Sequence, residues 1–236
     1  MRLDKYLQQN FKLKSRTYAE NLIKTGRVLL DGKIAKKTGI EVCDNSKVEI
    51  LQDESYASQG AYKLEGAFDA FSLNVDGKSC VDLGCSNGGF TDCLLRHGAK
   101  SVLAIDVAEC ALEQFLLDSG KVTFLRANAR ELPNDLGKFD FVCGDLSFIS
   151  QKYILPSVHS ILCDGGEAVM LIKPQFELDK SALNKSGIVT DEKLRNRAIA
   201  LVKGYAQSSG FQIVDLAISP VRYESKNVEY LLRLKK

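Results

Sequence analysis

The residues of this chain that can do chemistry collect where apolar runs end. Residues 81–89, Val-Asp-Leu-Gly-Cys-Ser-Asn-Gly-Gly, carry a buried run into a glycine turn, and an amphipathic helical pattern over 90–97 follows. Without a Cβ, Gly84 and Gly88 let the backbone bend tightly and approach a ligand, and the opening turn of the next helix presents unpaired N–H groups to polar ligand atoms. A second apolar run ends in Asp106, about twenty residues past the glycines, where a βαβ unit places a carboxylate for ribose hydroxyls. The glycines do not form the G-x-G-x-x-G of pyrophosphate binders, and a ligand without phosphates needs fewer N–H groups, so S-adenosylmethionine is expected rather than NAD. Asn128-Ala129, just past the third run, falls where the cofactor's base would lie, and an amide there serves both edges of adenine.

Two further runs end in charge. Asp145 closes 141–144 and Lys173 closes 169–172, each after a stretch too apolar for a casual charge. Taken together, they suggest a site.

Elements that could hold these groups follow from periodicity. Strands are expected at 80–83, 102–105, 122–125, 139–143, 168–172, 213–218 and 228–234, with helical patterns between most of them, which predicts a doubly wound α/β domain. Only about nine residues separate the last two strands, too few for a helical crossover, so they should pair antiparallel. The final strand then runs backwards, and Glu229 near its start reaches the carboxyl edge where open α/β sheets bind ligands.

Composition bounds the class. The 236 residues are 45% hydrophobic and 26% charged, ordinary for a globular protein with one full core and a small appended module. Seven cysteines with no C-x-x-C pair, most inside apolar runs, read as reduced thiols of a cytoplasmic protein. No signal-like start or membrane-length apolar run is evident. Residues 1–50 hold eleven Lys/Arg against six Asp/Glu, while the remainder is slightly acidic. The basic piece reads as two short helices, striped by Leu3, Tyr6 and Leu7 and by Ala19, Leu22 and Ile23. Ser15 caps the second and Gly26 stops it. A small hairpin-containing sheet follows, through Val28-Leu-Leu, the turn Asp31-Gly32 and residues 47–51. Arg2, Lys5, Lys12, Lys14, Arg16, Lys24 and Arg27 recur on the helical pair, at a density suited to a polyanion.

Arg2-Leu-Asp4, Ser15-Arg16, Ala19, Ile23, Gly26-x-Val28, Gly32 and Asp44 resemble an S4 domain, a small fold that grips structured RNA. The resemblance implies phosphate contacts at Lys12, Lys14 and Arg16, whereas Arg2 and Asp4 are open to an alternative role of bracing each other. The expected organisation is an S4-like α+β domain at 1–51, a polar linker at 52–61 and an α/β domain at 62–236.

The full chain resembles the TlyA family of ribosomal RNA 2′-O-methyltransferases, often labelled haemolysins, whose catalytic domain is similar to FtsJ-like methyltransferases. The matching blocks, in order, are residues 56–64, 82–95, 145–150, 171–177 and 227–229. The resemblance implies a seven-stranded Rossmann-like class I methyltransferase sheet with its last strand antiparallel. It implies a tetrad of Lys63, Asp145, Lys173 and Glu229 for 2′-O-methyl transfer. A cofactor pocket of Asp82, Gly84, Ser86, Gly88, Phe90, Asp106 and Asn128 carries over as well. The implied partner is ribosomal RNA, with no metal required. The extent of the chain resembles the shorter TlyA subtype, which implies a cytidine of large-subunit RNA. Departures occur at Gln59, Ala61 and Asn87, and at Ser225-Lys226 ahead of Asn227; none removes a tetrad side chain.

Other chemistries fit less well. Base-amine methylation uses an Asn/Asp-Pro-Pro-aromatic turn where this chain has Asp145-Leu-Ser-Phe148, and carbon-5 methylation needs an activated cysteine, which neither Cys143 nor Cys163 resembles. A non-catalytic RNA-binding or assembly factor would keep the S4-like module with a vestigial pocket, and a haemolysin would need an amphipathic or apolar membrane segment. The loop 174–189 is expected to border the substrate groove, with Phe176 either stacking on a base or packing beneath the loop.

Overall fold

The computed structural model describes residues 1–11, 13, 16–24, 26, 28–43, 46–50, 56–221 and 226–236. Lys12, Lys14, Ser15, Arg27, Asp44, Ser225 and linker positions 52–55 lie outside the described residues, as does the side chain of Lys24. The chain divides into two compact units, Met1–Ser55 and Tyr56–Lys236.

In the first unit, α1 (Leu3–Asn10) and α2 (Arg16–Lys24) precede β1 (Val28–Leu30), β2 (Lys33–Ile34) and β3 (Val48–Ile50), in the order β2-β1-β3 with both pairings antiparallel. The apolar positions Leu3, Leu7, Ala19, Leu22, Ile23 and Val28 form its core. Gly26, at φ 74°, ends α2 by donating its N–H to Ile23. Asp31 and Gly32 both have positive φ, as the tight hairpin between β1 and β2 requires. Asp4, wholly buried in α1, accepts from Arg2 at 3.0 Å and from Arg16 at 2.8 Å, tying the start of α1 to α2. The Arg2 hydrogen bond is the strongest of the effects that hold the Asp4 carboxyl well below its usual range, against burial. Of the two sequence readings of Arg2 and Asp4, the brace is the arrangement adopted.

The second unit places α3 (Ala61–Phe71) ahead of β4 (Ser79–Leu83), α4 (Gly89–Arg96), β5 (Ser101–Asp106), α5 (Gln114–Asp118), β6 (Val122–Arg126) and β7 (Phe139–Gly144). Next come α6 (Leu155–Ile161), β8 (Leu162–Ile172), α7 (Pro174–Glu177), α8 (Glu192–Ser208), β9 (Gln212–Ile218) and β10 (Tyr230–Lys235). The sheet order is β6-β5-β4-β7-β8-β10-β9, parallel except for β10, which runs antiparallel to both neighbours. It is thus a mixed α/β sheet of seven strands.

Strand alternation sorts side chains to two faces. Val81, Leu83, Met170, Ile172 and Leu232 pack with α6 and α8, while Cys80, Val169, Leu171 and Leu231 pack with α3 and α4. One element differs from expectation: β8 begins six residues before 168, at Leu162. The Asp164-Gly165-Gly166 stretch has the composition of a turn, yet Gly165 and Gly166 exchange backbone hydrogen bonds with Lys236 and so extend the strand. Residues 56–60 belong to the second unit, where the Ala57 N–H donates to Asp92. Cys80, Cys85, Cys93 and Cys143 are buried, whereas Cys43 and Cys110 are exposed.

The buried Asp4 fixes a pH window. Its folded pKa is depressed, so the stability it contributes is present above the unfolded value near 4 and is lost as pH falls toward the folded value. Asp4→Asn is expected to lower the stability of the first unit by about 1.5–3 kcal/mol at pH 7, the worth of charged hydrogen bonds, and to flatten its acid dependence. Urea unfolding at pH 7 and pH 3 measures both; an unchanged midpoint at pH 7 would contradict the brace.

Candidate active site

Four charged side chains, far apart in sequence, meet at the carboxyl edge of the sheet. Lys63 sits in the first turn of α3, Asp145 and Lys173 follow β7 and β8 directly, and Glu229 precedes the reversed β10. Lys63 Nζ lies 2.8 Å from Asp145 Oδ2 and 2.7 Å from Glu229 Oε2. Lys173 Nζ lies 2.6 Å from Asp145 Oδ1 and donates to Ser147 Oγ at 2.9 Å. Lys173 is only 7% exposed. A lone charge at such depth costs several kcal/mol, which alternation of two cations and two anions offsets. Burial works to lower the Lys63 pKa, but the Asp145 and Glu229 carboxylates outweigh it and the net shift is upward. Burial likewise works to raise Asp145, but Lys173 and Lys63 prevail and hold it below its ordinary value. Both groups therefore stay ionised at neutral pH. A cleft of about 260 Å³ opens beside them, lined by Gln59, Lys63, Asp145, Asn227 and Glu229 among others.

The glycine turn abuts this cluster. Gly84 has φ 79°, and a Cβ there would come within 3.1 Å of the Asp145 carbonyl oxygen, so the turn and the Asp145 loop pack backbone to backbone. Gly88 has φ 92°, and its Cβ would collide with Leu116 at 2.3 Å. Asp106 holds the turn directly, its Oδ2 accepting from the Ser86 N–H at 3.0 Å and its Oδ1 from the Ala108 N–H at 3.0 Å. Asp82 accepts from Thr91 Oγ1 at 2.7 Å through Oδ2, while its buried Oδ1 has no hydrogen-bond partner among the described residues. Burial, against the pull of Thr91, pushes Asp82 up to about 7.

Not every expected cofactor residue faces this region with its side chain. Phe90 is buried in the cluster between α3 and α4, and Ala129 in the core on the opposite face. Both side chains are apolar and take part in core packing. Asn128 and Ser86 are exposed; the Asn128 Oδ1 accepts from the Arg130 N–H at 3.1 Å, so its acceptor edge already serves the backbone. A group with an orphaned buried carboxylate oxygen to meet and a glycine cradle to enter fits these residues.

Several supporting residues were not identified from sequence. Phe148, three residues past Asp145, is 91% exposed at φ 63°, with its ring 5.2 Å from that of Phe176. Phe176 lies half-buried and 6.0 Å from Lys173 Nζ, so the outward ring is Phe148. Glu177 accepts from Ser150 Oγ at 2.6 Å and the Gln151 N–H at 2.9 Å, locking α7 to the loop that carries Phe148. Asn227 bonds Gly187 and Val189, pinning the 174–189 loop beside Glu229. The sequence signal was the Asp145-Leu-Ser-Phe block itself, which sets an aromatic side chain three residues past the charge at the strand end. In the first unit, Arg2, Lys36, Lys37 and the Thr38-Gly39 backbone line a basic depression of about 560 Å³; Lys5 is exposed, and Arg2 and Arg16 are half-exposed while paired to Asp4.

Comparison with known proteins accords with this geometry. Residues 56–236 match the FtsJ-like methyltransferase family and residues 1–48 the S4 domain. The 16S/23S rRNA (cytidine-2′-O)-methyltransferase TlyA of Mycobacterium tuberculosis is 38% identical, over 99% of this chain and 89% of that protein. Hemolysin A of Brachyspira hyodysenteriae is 35% identical over 98% of each. A solved structure of a candidate hemolysin from Streptococcus thermophilus, 32% identical, superposes with a TM-score of 0.77 over 100% of this chain and 88% of that one. The chain belongs to the FtsJ-like methyltransferase family, within the TlyA group that joins such a domain to an S4 domain.

Proposed function

We propose that this protein transfers a methyl group from S-adenosylmethionine to the 2′-hydroxyl of a cytidine ribose in ribosomal RNA, with the large-subunit RNA as substrate. The observation that carries the reading is Asp145 shared between Lys63 and Lys173, directly beside the glycine turn. The relatives named for rRNA cytidine-2′-O methylation, and the S4 domain, support the substrate.

The cofactor would be held by the Gly84–Gly88 turn, Ser86, Asp106 and the orphaned oxygen of Asp82. When bound, it supplies an electrophilic methyl group on a sulfonium. A ribose hydroxyl is a weak acid and a poor nucleophile, so the protein must align it and remove its proton as the O–C bond forms. Lys173 steers the hydroxyl and, acting in its uncharged amine form, takes up its proton to become the ammonium that Asp145 holds in place, while Lys63 and Glu229 balance each other's charge beside it. Ser147 fixes the lysine ammonium end from the other side. Phe148 offers an exposed π-face for the target base or its neighbour. Lys36 and Lys37 add phosphate contacts in the first unit beside Arg2. A membrane-active reading rests on the haemolysin names alone; among the described residues no helix is long and apolar enough to cross a bilayer.

Lys173→Ala is expected to reduce methyl transfer about 10²–10⁴-fold while leaving cofactor affinity intact, measured with labelled cofactor on ribosomal RNA and by calorimetry. Full activity in that variant would remove the assigned role. Phe148→Ala should lose about 1–3 kcal/mol of kcat/KM on RNA with unchanged cofactor binding. Asp82 yields a pH prediction: its folded pKa lies near 7 and its ionised form suits a cationic ligand, so cofactor affinity should strengthen from pH 6 to pH 8, by about tenfold at most. Asp82→Asn should weaken binding and abolish that dependence; an identical pH profile in the variant would show that the orphaned oxygen does not meet the cofactor.

A further inference from the structure

A second group of donor atoms joins α3 to α4. Glu65 projects from α3, while Cys93 in α4 and His97 at its C-terminal cap stand four residues apart on one helical face. Both Glu65 carboxylate oxygens lie 3.0 Å from His97 Nε2, and Cys93 Sγ lies 3.4 Å from Glu65 Oε1. One donor atom from each residue falls within 4.8 Å of the other two. The Tyr56 hydroxyl bonds the same carboxylate.

Sulfur, imidazole nitrogen and carboxylate oxygen are the donors that Zn²⁺ takes. Metal–ligand bonds of about 2.0–2.3 Å in a tetrahedron put neighbouring ligand atoms roughly 3.3–3.7 Å apart, so these three need only small adjustments to enclose an ion. The Phe68 ring stacks on the His97 imidazole at 3.6 Å and 4°, fixing the plane of the ligand. His97 and Glu65 are partly exposed, which leaves an entry path, whereas Cys93 is fully buried. The Cys93 thiol donates to the same carboxylate that meets His97, so the three donor atoms converge on one point at the border of an apolar cluster.

We infer that Glu65, Cys93 and His97, with the Tyr56 hydroxyl or a water as fourth ligand, form a binding site for Zn²⁺ or a chemically similar divalent transition ion. As the sulfur–metal bond forms, the thiol proton leaves to solvent, and no redox partner is involved. The ion would clamp α3, which carries Lys63 two residues before Glu65, onto α4, whose start closes the glycine turn. Its role is structural, and methyl transfer does not pass through it.

The test uses the full chain without an affinity tag, with the exposed thiols removed as Cys43→Ser and Cys110→Ser so that they cannot hold metal adventitiously. Titration with Zn²⁺ alone should saturate at one ion per chain and raise the melting temperature, and Co²⁺ should give a thiolate charge-transfer absorption. Cys93→Ser and His97→Gln should each weaken binding about tenfold or more, and Cys93→Ser should erase the Co²⁺ band. If Cys93→Ser does not fold, His97→Gln at its partly exposed position carries the comparison. Absence of saturable uptake, or unchanged affinity in the variants, would overturn the site and leave the proposed methyl transfer untouched.

Discussion

One carboxylate, Asp145, pairs with two lysines at once, and the arrangement of the second unit follows from what that requires. Neither lysine could be buried alone, and Asp145 could not sit behind a strand of six largely buried residues without them. Lys63 comes from a helix ahead of the first sheet strand, Lys173 from the end of β8, and Glu229 from the start of β10. Only reversal of the last strand puts Glu229 at the edge where the parallel strands end. The antiparallel strand is thus a chemical necessity of the site as well as a feature of its topology.

The backbone of the same residue links the charge cluster to the proposed cofactor turn. Its carbonyl packs against Gly84, and its N–H donates to Leu83 at 3.1 Å, so the loop after β7 and the turn after β4 are positioned by each other. Asp106 pins the other side of the turn, and the negative charges of Asp145 and Asp106 add to burial in making Asp82 hard to ionise. Three carboxylates around one glycine turn create a field suited to a cationic ligand and poorly suited to a pyrophosphate. This electrostatic distinction agrees with the glycine spacing, which also departs from that of pyrophosphate binders.

What was legible in the sequence were features with a short physical range. The seven sheet strands announced themselves by short apolar runs, and the direction of β10 by the length of the connection before it. Asp145 and Lys173 stood out as charges at the ends of buried runs. Lys63 had no such signal, because a lysine in the first turn of an amphipathic helix reads as a solvated residue until the partner strands are in place; resemblance alone singled it out. Phe90 and Ala129 sit in motif positions, and what the sequence did not show is that their apolar side chains lie in the two cores. Phe148 and Ser147 were hidden because their roles depend on a left-handed residue that turns the ring outward. Glu65, Cys93 and His97 converge only once α3 packs on α4, which no periodicity foretells.

The central claim is that Lys63, Asp145, Lys173 and Glu229 act as one electroneutral unit in methyl transfer. A double-mutant cycle on single-turnover transfer to ribosomal RNA, with Lys63→Met, Glu229→Gln and the two combined, tests it most directly. The account predicts strong non-additivity, with the double variant losing little more rate than the worse single one. Losses that simply multiply would show that the two side chains act independently and would contradict it.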